Sequence, residues 1–172
     1  MTQPATTPAS RTAPGQIERH GSGGFDDRLR DPYQHAGKYR EPARCEQCGA
    51  VWHGGRWQWA EAPAAAHATT CPACRRMHDE LPAGVITLDG PFIALHHDEL
   101  VAIARHTAEH ERLDHPLNRI MQVSEPDGRI EITTTDIHLP QRIGAALKSA
   151  YDGELVVRYA QGEYSVRVHW SR

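Results

Sequence analysis

Cys45-Glu46-Gln47-Cys48-Gly49 and, with 22 residues between Cys48 and Cys71, Cys71-Pro72-Ala73-Cys74 together hold all four cysteines of the chain. A tetrahedral zinc ion needs four thiolates about 2.3 Å away, and a Cys-x2-Cys turn aims two sulfurs at one point. Gly49 directly after Cys48 accepts a positive φ, and Pro72 stiffens the second turn. The pattern predicts one zinc ion held by Cys45, Cys48, Cys71 and Cys74. The spacer slightly exceeds the roughly 15–20 residues usual in zinc ribbons. Four thiolates leave no open coordination position, so this zinc is expected to be structural. A rubredoxin-type iron site would use the same sulfurs, and a redox dithiol the same pairs; both readings stay open on sequence.

The stretch between the pairs accounts for the long spacer. Val51-Trp52-His53-Gly54-Gly55-Arg56-Trp57-Gln58-Trp59 places a Gly-Gly dipeptide between two short β-favouring runs, which predicts a tight hairpin. An Ala/Pro-rich connection, Pro63 to Ala68, then leads to the second pair. The tryptophans either build the small core of this ribbon or stack on unpaired bases beside basic residues. The candidate RNA contacts are Arg40, Arg44, Arg56, Trp57, Trp59, Arg75 and Arg76, with Arg56 at the hairpin tip the foremost. His53, His67 and His78 are near enough in sequence to substitute as ligands, but read as surface histidines.

Upstream, residues 1–43 are punctuated by proline and glycine and contain few large apolar side chains. Such a segment buries too little surface to offset its ordering entropy, so it is expected to be a disordered arm. Its basic stretches around Arg28–Arg30 and Lys38–Arg44, which include Tyr33 and Tyr39, are suited to ordering on a partner.

Downstream, residues 81–172 read as a regular α+β chain. Val85–Leu88 predicts a strand, and a helix is expected from near His97 to before Pro116, with Leu100, Ile103, Ala104 and Thr107 inward. Strands at Arg119–Val123 and Arg129–Thr135 flank Pro126-Asp127-Gly128. Asp136 is placed to cap a second helix, Leu139–Ala150, and Gly153 to end it. A terminal hairpin follows, in which Leu155, Val157 and Tyr159 alternate inward, then Tyr164, Val166, Val168 and Trp170. The order β-α-β-β-α-β-β contains the split-βαβ, ferredoxin-like order plus one strand. Three parts are expected: an arm (1–43), a zinc ribbon (44–80) and a ferredoxin-like body (81–172).

Composition narrows the function. The 172 residues carry 19 basic and 22 acidic side chains, a net charge of −3. That balance hides an asymmetry, because residues 79–172 hold 15 acidic and 9 basic groups while the front of the chain is mildly basic. No uncharged apolar run approaches the roughly 18 residues of a membrane helix, and the N-terminus does not read as a secretory signal. A soluble cytoplasmic protein without a membrane partner is expected. His106-Thr107-Ala108-Glu109-His110 spells a metallohydrolase pattern, H-x-x-E-H, but no third ligand accompanies it. Thr133-Thr134-Thr135-Asp136 could bind an anion at a helix start, yet reads better as a strand followed by a cap. With no phosphate loop or nucleophile elbow, the chain is not expected to be an enzyme.

Several motifs resemble a known family. They are Arg40-Glu41-Pro42, Cys48-Gly49-Ala50-Val51 with His53, Gly55-Arg56-Trp57 with Trp59, and Cys71-Pro72-Ala73-Cys74. Pro82-Ala83-Gly84, His115-Pro116-Leu117, Arg119-Ile120-Met121, Thr133-Thr134-Thr135-Asp136, His138-Leu139, Ala150-Tyr151, Gly153-Glu154-Leu155 and Arg167-Val168 with Trp170 continue the match. Over residues 33–170 the chain resembles a bacterial family of short zinc-ribbon proteins. That family is similar, more distantly, to the N-terminal zinc-binding region of the large-ribosomal-subunit nuclear-export adaptor. The adaptor carries more cysteines and further domains, so only the four ligand cysteines transfer.

The resemblance implies a role on the ribosome or structured RNA. The expected protein is non-enzymatic and zinc-stabilised, touching phosphates through ribbon and arm, with the acidic body turned outward or toward a protein partner. A redox or metal-handling protein and a zinc-stapled protein–protein adaptor are the alternatives.

Overall fold

The computed structural model describes residues 30–34 and 39–172, arranged as two sheets and three helices. The portions of the expected arm at 1–29 and 35–38 lie outside the described residues.

The ribbon is a four-stranded sheet of three-residue strands: β1 (Ala43–Cys45), β2 (Val51–His53), β3 (Arg56–Gln58) and β4 (His67–Thr69), in the order β3-β2-β1-β4. Gly54 and Gly55 both take positive φ, +60° and +75°, which lets a two-residue turn match the strand twist. Trp52 and Trp57 face each other across this hairpin. The connection predicted as loop contributes β4, which runs parallel to β1. The second cysteine pair opens a helix, α1 (Pro72–Asp79), whose N-cap is Cys71: its sulfur accepts from the Cys74 backbone N–H at 3.4 Å.

Described residues upstream of position 44 pack against the ribbon. Ala43 is buried in β1, and Asp31 pairs with Arg76 of α1 at 2.6 Å. Tyr33 lies under the same guanidinium, 4.4 Å from ring centroid to Cζ. Cation–π stacking and a buried ion pair fasten Tyr33 and Asp31 to α1.

The body comprises, in chain order, β5 (Gly84–Asp89), α2 (Ile93–Asp114), β6 (Ile120–Ser124), β7 (Ile130–Thr134), α3 (Leu139–Tyr151), β8 (Glu154–Tyr159) and β9 (Val166–Ser171). Helix α2 starts earlier than read from sequence and is broken at His96, close to the expected start near His97. The Asp136 carboxylate caps the start of α3, accepting from the His138 N–H at 2.7 Å and the Leu139 N–H at 3.3 Å. Ile86, Leu88, Ile132, Ile143, Leu147, Leu155, Val168 and Trp170 form the shared core.

Strand order in the body is β6-β7-β5-β9-β8. The first three strands pair antiparallel, as in a split-βαβ unit. A ferredoxin-like sheet would next place β8 beside β5. Instead β9 lies there, parallel to β5, and β8 is displaced to the edge. The hairpin return inserts the extra strand into the sheet rather than adding it outside, which makes the sheet mixed.

Candidate metal centre and the aromatic face beside it

Each cysteine is placed by a local device. The Gly49 N–H donates to the Cys45 carbonyl at 2.9 Å, and the Cys45 N–H to the Ala50 carbonyl at 2.8 Å, closing the first turn with Gly49 at φ +79°. The second pair sits on the first turn of α1, whose free amides point at sulfur. The backbone N–H of Cys71 donates to Cys45 Sγ at 3.3 Å, and that of Ala50 to Cys48. Such amide donors favour the thiolate over the thiol.

The four sulfurs lie within 4.8 Å of one another, and Cys48 Sγ and Cys71 Sγ are 3.8 Å apart. Four sulfurs 2.3 Å from a central ion in tetrahedral array are about 3.8 Å apart. A disulfide would require about 2.05 Å, and all four cysteines are free. The donor set and spacing suit one four-coordinate metal ion. Cys45 and Cys71 are fully buried and Cys74 nearly so. Among the described residues this is the one group of ligating side chains arranged for a metal. His106 and His110 stand exposed on α2 with no third partner, and His53, His67 and His78 are surface residues.

Arg119, absent from the sequence-derived site, completes the centre from the body side. Its Nη2 donates to Cys48 Sγ at 3.0 Å and its Nη1 to Cys74 Sγ at 3.4 Å, with Cys71 Sγ 4.0 Å away. Its Nε donates to the Pro116 carbonyl at 2.7 Å, which fixes the plane of the fork. Thr135 clamps the supporting loop: its hydroxyl donates to the Leu117 carbonyl at 2.5 Å and accepts from the Arg119 N–H at 3.0 Å. The Thr133–Asp136 run therefore holds backbone rather than an anion. Hydrogen bonding from Cys71, the Ala50 amide and Arg119 outweighs burial to hold Cys48 at about 4. Its contact with Cys48 and its burial push Cys71 the other way, and burial raises Cys74.

A divalent ion with four thiolates carries a net charge of −2, and the guanidinium halves it at hydrogen-bond range. The ribbon is thereby tied to the body. Leu117 joins the ribbon's apolar cluster, and the Trp59 indole N–H donates to the Arg112 carbonyl on α2 at 2.6 Å.

The sequence-derived RNA contacts separate into two groups. Arg40, Arg44 and Arg56 are exposed, and Arg75 is half-buried. Trp59 is 38% exposed, with the Arg112 guanidinium 5.2 Å over its ring. Arg76 and Trp57 are corrections. Arg76 is 4% exposed, with its charge spent on Asp31 and a bond to the Leu81 carbonyl, so it cannot reach a phosphate. Trp57 is 8% exposed, enclosed by Tyr39 and Trp52 at centroid distances of 5.1 and 5.8 Å. Ring packing in the core, rather than stacking on a base, decides its position.

Among the described residues no helix is long and apolar enough to cross a membrane. No family model, curated protein or solved structure matches the chain.

Proposed function

We propose that this is a non-enzymatic protein in which one structural zinc ion staples a ribbon that associates with the ribosome or with structured RNA. The observation that carries the reading is the closed site: four sulfurs at tetrahedral spacing, capped by Arg119. Such a centre offers no position for substrate, so the metal's contribution is to hold the ribbon's surface in shape. Thiolates at every vertex favour zinc, and iron is the ion that would overturn that choice.

The surface so held is suited to RNA. Arg40, Arg44 and Arg56 are exposed on it, beside the half-buried rings of Tyr39 and Trp52. The body is net acidic, with 13 acidic against 9 basic groups over residues 81–172. Phosphate contacts dominate nucleic-acid affinity, so the ribbon faces RNA and the body faces solvent or a protein partner. We read the body as a ferredoxin-like unit with an inserted strand, and the protein as cytoplasmic.

Co-sedimentation of the full chain with ribosomes at low and high salt tests this function. Association at low salt that is lost steeply as salt rises supports it. Absence from ribosomal fractions at low salt, in growing and in stressed cells alike, contradicts it.

A further inference from the structure

We infer that the cleft between the ribbon hairpin and the α2–β6 turn is a pocket for one unstacked base of single-stranded RNA. The inference rests on the RNA reading above and gives it a specific site. The cleft measures about 390 Å³ and is lined by Tyr39, Trp52 and Trp57 on the ribbon side, Leu117 and Asn118 on the body side, and Arg56 at the hairpin tip. Its volume lies at the small end of the range for ligand pockets, the scale of a nucleotide rather than a folded element.

Aromatic rings make its wall. Tyr39 and Trp52 are tilted at 53° with centroids 5.3 Å apart, and both keep part of their surface exposed. Every base has a π-face, so such a wall accepts any base that leaves its stack. Donors converge on the same space. Arg56 is exposed and has no ion pair among the described residues. Asn118 on the far wall adds an amide. Base edges and phosphates are rich in acceptors. The Glu41 carboxylate accepts from the Gly54 and Gly55 N–H groups at 3.1 and 2.9 Å and does not line the cleft.

At the tip, a Cβ added to Gly55 would meet nothing within 4 Å among the described residues. A proline-rich peptide would also lie against aromatic rings, but it carries no anion for Arg56, so the charge favours RNA. The turn His115–Asn118 forms the far wall, and Arg119 ties it to the cysteine site through the Pro116 carbonyl and Cys48 Sγ.

The test is titration of the zinc-loaded full chain with a fluorescein-labelled ten-nucleotide single-stranded RNA, the same RNA annealed to its complement, and a proline-rich decapeptide. Anisotropy and tryptophan quenching are recorded together. The single strand is expected to bind, to quench, and to outcompete the duplex. Trp52→Ala should weaken it about 5- to 150-fold, and Trp52→Phe much less because a ring remains. Arg56→Gln should lower affinity for all sequences and reduce the salt slope by about one. Zinc retention by each variant shows that the ribbon has folded.

Unchanged binding in folded Trp52→Ala and Arg56→Gln overturns the pocket, as does quenching by the peptide alone. Either result leaves ribosome co-sedimentation of the wild type standing on its own. Conversely, cleft-dependent RNA binding without co-sedimentation supports the pocket and removes the ribosome as partner.

Discussion

Replacing Arg119 with glutamine removes the one cation that touches the cysteine centre from the body. Two contacts at 3.0 and 3.4 Å to sulfur are lost, with a bond of 2.7 Å to the Pro116 carbonyl. A hydrogen bond to a charged group contributes about 1.5–3 kcal/mol, and a partly buried guanidinium belongs toward the lower end for each bond. The shorter glutamine amide would still satisfy one partner, so the net loss should be about 1.5–3 kcal/mol. Groups that orient or neutralise metal ligands typically change metal affinity about 10- to 100-fold when removed, which agrees. The assay is competition for zinc against a chromophoric chelator at fixed pH and salt. Arg119→Gln should bind zinc about 10- to 100-fold more weakly. Arg119→Lys should recover only part, because an ammonium cannot bridge Cys48 and Cys74 with one planar fork. Zinc affinity of Arg119→Gln within about twofold of wild type would refute the assignment of Arg119 to the centre.

Three further outcomes follow from the fold. Asp31→Ala leaves the Arg76 guanidinium buried with the Leu81 carbonyl and the Tyr33 and Tyr164 rings but no anion among the described residues, so chemical denaturation should show a loss of about 3 kcal/mol. Burial raises Asp136 above its ordinary 3.8, so its contribution is greatest below that value and falls as pH rises through the folded value. Wild type should therefore lose stability relative to Asp136→Asn as pH rises above about 4, and the reverse trend in paired urea melts would contradict the assignment. Gly84→Ala would set a Cβ 2.5 Å from Pro140 Cγ and 2.6 Å from the Asp136 carbonyl, and a thermal melt should register about 1–3 kcal/mol of destabilisation.

How much of this is legible in sequence depends on the range of the interaction. The two Cys-x2-Cys turns, the Gly54-Gly55 hairpin and the Asp136 cap are local devices, with partners within a few residues, and their residue types alone announce them. The alternation Ile130, Ile132, Thr134 in β7 marks its buried face directly. Strand β4 escapes a sequence reading because three residues, His67–Thr69, carry too short a pattern, and their partner is Ala43–Cys45 in parallel. The place of β9 beside β5 is a long-range pairing that the hairpin's own alternation does not encode.

Arg76 and Arg119 are the instructive pair. In sequence Arg76 follows the second cysteine pair and Arg119 opens a predicted strand 45 positions past Cys74, yet the first is neutralised by Asp31, 45 positions away, and the second reaches Cys48 across 71. Charge count along the chain cannot tell a buried guanidinium from a free one. Trp57 and Trp59, only two residues apart, likewise diverge: Trp57 lies within β3 and enters the ribbon core, whereas Trp59 lies past the strand's end and reaches α2.

The most direct test of the account is native mass spectrometry, paired with an absorption spectrum, of the full chain purified at low salt without chelator. The account predicts a colourless protein with one zinc per chain, four reduced cysteines, and RNA that co-purifies until salt is raised. A visible iron–thiolate band, a metal-free folded chain, or zinc-loaded protein that never carries RNA would contradict it.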